Sequence, residues 1–181
     1  MIRKLGSLVG VLGLALCGAL MASPAHASTG SMICTGWTYT TYTPGLTNTA
    51  KPTTIVDDGN LNIISEHSPT GSCIAIGSSA TAGERNVTAQ INLGCTQLIT
   101  ETGVETINWN DGQSTSFTFT ANVTRGLATT VIVETGTVTS GEFTGATVVE
   151  SFTAPNLAFL GCGTPGGVTS LDFITAIAIT L

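Results

Sequence analysis

Downstream of Thr35 the chain alternates apolar and polar residues with a period of two, and no stretch repeats at the spacing of an amphipathic helix. The alternation predicts strands at Thr35–Tyr42, Thr53–Val56, Leu61–Ser65, Ser72–Ile76, Asn86–Gly94, Gly103–Trp109, Gln113–Val123, Thr129–Thr139, Ala146–Thr153 and Val168–Leu181. Pro44-Gly45, Asp58-Gly59, Ser68-Pro69, Ala82-Gly83, Asp111-Gly112, Arg125-Gly126, Ser140-Gly141 and Pro165-Gly166-Gly167 stand between them as turn chemistry. Pro44-Gly45 suits a type II turn. Only Pro155–Gly161 suits a single helical turn, since Pro is tolerated at a first helical position and Gly ends one. Short strands without intervening helices predict an all-β antiparallel sandwich or barrel; the expected form is a single β-sandwich, immunoglobulin-like in a loose sense. The final run, LDFITAIAITL, is apolar on both faces and belongs inside a sheet.

The stretch INWNDGQSTSF, Ile107–Phe117, specifies a hairpin register. A two-residue Asp111-Gly112 loop would set the apolar side chains of one strand beside the polar face of the other. A three-residue loop, Asn110-Asp111-Gly112, instead puts Trp109 opposite Gln113 and Ile107 opposite Thr115. It gathers Trp109, Ile107, Phe117 and Phe119 on one face. Burial of one face selects the second register and asks Gly112 for a left-handed conformation. Its cost is Glu105 opposite Phe117, tolerable near an edge.

The first 27 residues change the setting. Arg3-Lys4, an apolar run from Leu5 to Met21 and the small-x-small site Ala25-His26-Ala27 predict a Sec signal peptide over residues 1–27, released after Ala27, with one domain over 28–181. The apolar run is near the short end for a spanning helix, which needs roughly 20 residues. Beyond Ala27 remain Cys34, Cys73, Cys95 and Cys162, an even set that in an exported chain predicts two disulfides. Three pairings are open; a hairpin turning near Glu84 favours Cys73–Cys95, leaving Cys34–Cys162. No CxxC pair suggests a metal.

The same residues hold three bases, Lys51, Arg85 and Arg125, against eleven acids, a formal charge of 3 − 11 = −8. Three scattered cations cannot form a phosphate-binding stripe, so no nucleic-acid partner is expected, and anionic membrane surfaces are disfavoured. Aromatics are too few for the two girdles of a transmembrane barrel.

Catalytic constellations are missing from the text of the chain. Glu66-His67-Ser68 cannot converge on an extended strand, where His67 points away from both neighbours, and no GxSxG elbow occurs. No catalytic residue is therefore assigned. Asp57-Asp58-Gly59-Asn60 and Asn108–Gly112 carry oxygen ligands without calcium-loop spacing, so both read as turns, with no metal and no cofactor assigned. Eleven carboxylates leave a two-carboxylate hydrolase open. Trp37 and Tyr39 share one strand face and could stack on a sugar if exposed; the competing reading packs them in the core.

PGLTNT (Pro44–Thr49), INWNDGQSTSF and GTVTSGEFTGATVVESFTAPNL (Gly136–Leu157), followed by Cys162 and GVTSLDF (Gly167–Phe173), resemble a group of small, secreted, Thr-rich, four-cysteine all-β proteins of actinobacteria. The resemblance spans nearly the whole chain after Ala27 and implies bacterial export and one all-β domain. It brings no activity and no site residue.

Together these features lead us to expect a secreted, non-catalytic binding or cell-envelope-associated protein, with a cell-wall, glycan or protein ligand. A carbohydrate-binding module or carboxylate-based hydrolase is the alternative. A protease inhibitor presenting Gly161–Gly167 beside Cys162 is the third.

Overall fold

Every strand turns one face inward, and a computed structural model, which describes residues 30–96 and 102–181, shows what those faces enclose. The strands are β1 (Ser31–Leu46), β2 (Lys51–Leu61), β3 (Ser72–Ile76), β4 (Gly83–Leu93), β5 (Thr102–Trp109), β6 (Ser114–Arg125), β7 (Thr129–Gly141), β8 (Thr147–Pro155) and β9 (Val168–Thr180). A 3-10 segment, Asn156–Gly163, precedes β9 where the sequence predicts one helical turn. The expected signal peptide and its cleavage site lie outside the described residues.

Pairing is antiparallel throughout, in the order β2-β4-β5-β6-β7-β8-β9-β1-β3, with β1 also paired to β2. That last pairing closes the sheet into an eight-stranded barrel and corrects the expected sandwich. The physical reason lies in β1. One edge of it pairs with β9; the other pairs with β3 over Ser31–Thr35 and then with β2 over Gly36–Thr43. The two ends of the twisted sheet therefore meet, and inward side chains pack against one another with no second sheet to cover them. β9 lies between β8 and β1, inside the sheet as its two-sided apolarity predicts. The outer row of β4 is polar (Glu84, Asn86, Thr88, Gln90, Asn92 all exposed), the reverse of a lipid-facing barrel wall.

Other expectations change with closure. Asp57-Asp58-Gly59 is not a turn: Lys51–Leu61 is one strand, and Asp57 points into the lumen. Leu61–Ser65 is not a strand; Ser65 makes only an isolated bridge with Ser68. Pro44-Gly45 sits in a bulge of β1, between the pairings of Thr41 and Leu46 with β9. The disulfides are Cys34–Cys73 and Cys95–Cys162, not the favoured pairing. Cys34 and Cys73 face each other across β1 and β3, and the segment around Glu84 belongs to β4, which pairs with β2 rather than returning along β3. The hairpin holds its predicted register: Ile107 opposes Thr115 and Glu105 opposes Phe117. Gly112 has φ +86° and Trp109 is 4% exposed.

Candidate functional site

Read along the strands, the inward positions fall into three layers. At one end an apolar cluster gathers Met32, Ile107, Trp109, Phe117, Phe143 and Ile179. At the other stand Tyr42, Ile55, Leu93, Phe152, Leu171 and Phe173, beside the Cys95–Cys162 bridge. Between them runs a polar belt: Thr38 and Thr40 of β1, Asp57 of β2, Arg85 of β4, Glu105 of β5, Glu134 of β7, Glu150 of β8 and Thr175 of β9. All but Thr38, which lies between Gly36 and Thr40, have an apolar side chain two positions away on the same face, and strand alternation turns them inward.

Arg85 organises the belt. Its Nη1 donates to Glu105 Oε1 at 2.5 Å, and its Nη2 donates to Thr38 Oγ1 at 2.7 Å. Thr38 in turn shares a hydroxyl hydrogen bond with Thr175 at 2.8 Å. The guanidinium carbon lies 4.4 Å from the centre of the Phe152 ring. Gly59 stands opposite Arg85, and a Cβ there would collide with the arginine side chain, so the absence of one makes room for the stem. Burial alone would depress the Arg85 pKa, but Glu105 and Glu150 more than offset it and the guanidinium stays charged.

Four carboxyl groups face that one cation; Lys51 and Arg125 lie elsewhere, at the start of β2 and the end of β6. Burial, opposed by Arg85 and reinforced by Glu105 and Glu134, holds the Glu150 carboxyl well above the usual carboxylate range. Its Oε1 lies 2.8 Å from Arg85 Nη1, an ion-pair distance, yet neither of its carboxyl oxygens has a hydrogen-bond partner. The short contact and the raised pKa conflict only if Glu150 is ionised. With one guanidinium already hydrogen-bonded to Glu105, we take Glu150 as the group that keeps a proton. Glu134 is pushed up to about 8, first by burial and then by Glu105, and its Oε2 is buried without a partner. Burial also raises Asp57, against the Thr40 hydroxyl that donates to it at 2.5 Å. One oxygen from each of Glu105, Glu134 and Glu150 lies within 4.8 Å of the others.

Above the belt is a cavity of about 270 Å³. Asp57, Arg85, Glu105 and Glu134 form its polar floor, and Ile55, Ile132, Phe152 and Phe173 stand among its apolar walls. Among the described residues its wall includes the seam between β4 and β5. These two strands pair, among the described residues, only at Gly83–Trp109 and Glu84–Asn108; beyond these, Val87 and Ala89 line the cavity on one side of the seam, with Thr102, Gly103 and Val104 on the other.

The residues nominated from sequence lie elsewhere. Trp37 and Tyr39 are half-buried on the outer wall of β1, in neither the core nor the lumen. His67 stacks on Tyr39 with ring centres 3.8 Å apart, and the Trp37 indole N–H reaches Thr70 Oγ1 at 3.4 Å. His67 itself meets Asp172 at 3.2 Å, not Glu66 or Ser68. Asn110 and Asp111 bind the neighbouring 79–82 segment: Asn110 Oδ1 accepts from the Thr81 and Ala82 amides, and Ser79 donates to Asp111. The Gly161–Gly167 loop folds back on β1, its Cys162 carbonyl accepting from the Asn48 amide. Sequence reasoning missed the belt, although its signal is present: Glu105 is in phase with Ile107 and Trp109, and Glu150 with Val148 and Phe152. A charge on the apolar phase of a strand marks a lumen group.

Comparison of the chain with protein-family models, with curated proteins and with solved structures returns no match.

Proposed function

We propose that the protein is an exported, non-catalytic binding protein whose barrel lumen takes one small organic molecule with an apolar body. A single observation carries this reading: a largely apolar cavity of about 270 Å³, floored by polar groups, is walled in part by the β4–β5 seam, which pairs sparsely among the described residues. Eight strands make a barrel just wide enough for one small ligand, and apolar walls with a few placed polar groups are the usual form of such sites. A cavity of about 150 Å³ accepts benzene, so this one suits a ligand of about twice that bulk. Two disulfides and the predicted signal peptide favour an extracellular setting.

The test is binding of the neutral fluorescent probe N-phenyl-1-naphthylamine by the wild type and by Ala89→Trp, which fills space at the cavity wall. Micromolar binding lost in the variant supports the lumen site; equal binding by both proteins, or none by the wild type, removes it.

A second reading, acid–base catalysis, is favoured by one observation. Glu134, with a pKa of about 8 in a cavity that reaches the surface, can hold or release a proton near neutral pH. It requires that a bound ligand be converted. Mass spectrometry of molecules recovered from the lumen, with Glu134→Gln as control, decides it; unchanged ligand excludes catalysis.

A further inference from the structure

We propose that the ligand of the lumen carries a primary ammonium group, paired with Glu134 on the cavity floor, with its apolar body against Phe152, Phe173, Ile55 and Ile132. This rests on the lumen being a binding site and names the chemistry that the site selects.

Donors and acceptors in the belt do not balance. Arg85 Nη1 donates to Glu105 and lies 2.8 Å from Glu150 Oε1, its Nη2 donates to Thr38, and the Thr40 hydroxyl donates to Asp57. On the acceptor side, Glu134 Oε2 has no partner at the cavity wall, and Glu150, 0% exposed and outside the cavity lining, has an Oε2 without one. Once Glu134 gives up its proton its carboxylate at the cavity wall only accepts, so a ligand that takes the place of that proton must bring the hydrogens. An ammonium supplies three N–H donors.

Charge points the same way. Glu134 of β7 is faced by Glu105 of β5, Glu150 of β8 and Asp57 of β2, with Arg85 of β4 as the single cation. An anionic head would meet surplus carboxyl groups and an arginine already engaged. A neutral hydroxyl could donate one hydrogen bond but would leave the carboxyls to keep their protons. A cation can replace a proton, and it gains a charge-assisted hydrogen bond in a partly desolvated site. A bare divalent ion fits the three converging glutamates in spacing, but it would meet Arg85 beside two of them and leave the apolar walls without a partner. The walls require that the charge come on an organic body.

Calorimetry at pH 7 with 2-phenylethylamine, 2-phenylethanol and 3-phenylpropionate separates the head groups at nearly constant shape. We expect the amine to bind at least tenfold tighter than the alcohol, and the carboxylate to bind weakest. Because Glu134 holds its proton up to about pH 8 in the free protein, amine binding at pH 7 releases close to one proton, read from titrations in phosphate and in Tris. Glu134→Gln should lower amine affinity at least tenfold and abolish proton release. The wild-type proton count stands even if that variant does not fold. Alcohol or carboxylate binding as tightly as the amine, or amine binding without proton release, overturns the ammonium assignment while the lumen reading survives. So does probe binding with no amine binding, or binding of calcium or zinc chloride alone that depends on Glu134 and excludes the amine. If neither the probe nor any of the three ligands enters, the lumen reading itself falls.

Discussion

Glu134→Gln should make the protein more stable at neutral and alkaline pH, although it removes a group from the candidate site. The folded state holds the Glu134 proton up to about pH 8, whereas the unfolded chain releases it near the ordinary value of 4.5. Folding therefore binds a proton between those limits. The stability associated with the protonated carboxyl is complete below the unfolded pKa and is lost as pH rises toward the folded one. At about 1.4 kcal/mol per pH unit, the loss reaches about 3 kcal/mol at pH 7. Solvent reaching the cavity screens the carboxyl, so about 2 kcal/mol is the working expectation. Glutamine keeps the shape and does not titrate. Urea unfolding followed by tryptophan fluorescence, with both disulfides oxidised, should give equal stabilities at pH 4.5. At pH 8 the variant should lead by about 2–3 kcal/mol, which for a domain of this size is roughly 5–10 °C in Tm. The wild type should lose stability steadily from pH 5 to 8, with Asp57 and Glu150 adding slope of the same sign. A wild type that gains stability over that range, or a variant no more stable at pH 8, refutes the buried protonated carboxyl and with it the proton release expected on amine binding.

Arg85→Met removes the only cation of the belt and should cost about 3–5 kcal/mol at pH 8, and less at pH 5, where Glu134 keeps its proton; a loss identical at both pH values in urea unfolding would assign the cost to packing on Phe152. Peptide mapping under non-reducing conditions should recover Cys34–Cys73 and Cys95–Cys162, and replacing either pair by alanine should lower stability by about 4 kcal/mol in the chain-entropy model. Gly112→Ala forces a side chain to φ +86° and should cost about 1–2 kcal/mol, with no change in probe binding by the lumen.

Local structure was legible where local chemistry decides it. The Asn110-Asp111-Gly112 register followed from putting Trp109, Ile107, Phe117 and Phe119 on one face, and that is the face the barrel buries or half-buries. Closure was not legible, because inward–outward alternation is the same in a sandwich and in a small barrel. What distinguishes them is that β1 runs on past β3 to pair with β2, a long-range event that no two-residue period encodes. The glycines carried part of this message. Gly59 and Gly103 point inward, where a Cβ would strike Arg85 or the Phe119 ring; in the sequence Asp58-Gly59 reads equally well as turn chemistry, which puts Asp57 in a bend. The belt was hidden for a related reason. Glu105 opposite Phe117 reads as an edge cost until Arg85, twenty residues earlier on β4, is brought across the lumen to meet it. Arg85 among eleven acidic residues is a weak signal in text and the centre of the site in space.

Pairing the first strand with the last also constrains how the barrel can assemble. β9 supplies Ile177 and Ile179 to one apolar cluster and Leu171 and Phe173 to the other, and it seals β8 to β1 along their lengths. Until those thirteen residues are in place, β1 and β8 both present open hydrogen-bonding edges, and neither layer around the polar belt is complete. Contacts that span nearly the whole domain place folding among the slower, non-local topologies. A chain cut short before Val168 is thus left with two adhesive edges and an uncovered lumen, a species that self-associates rather than one that folds less stably.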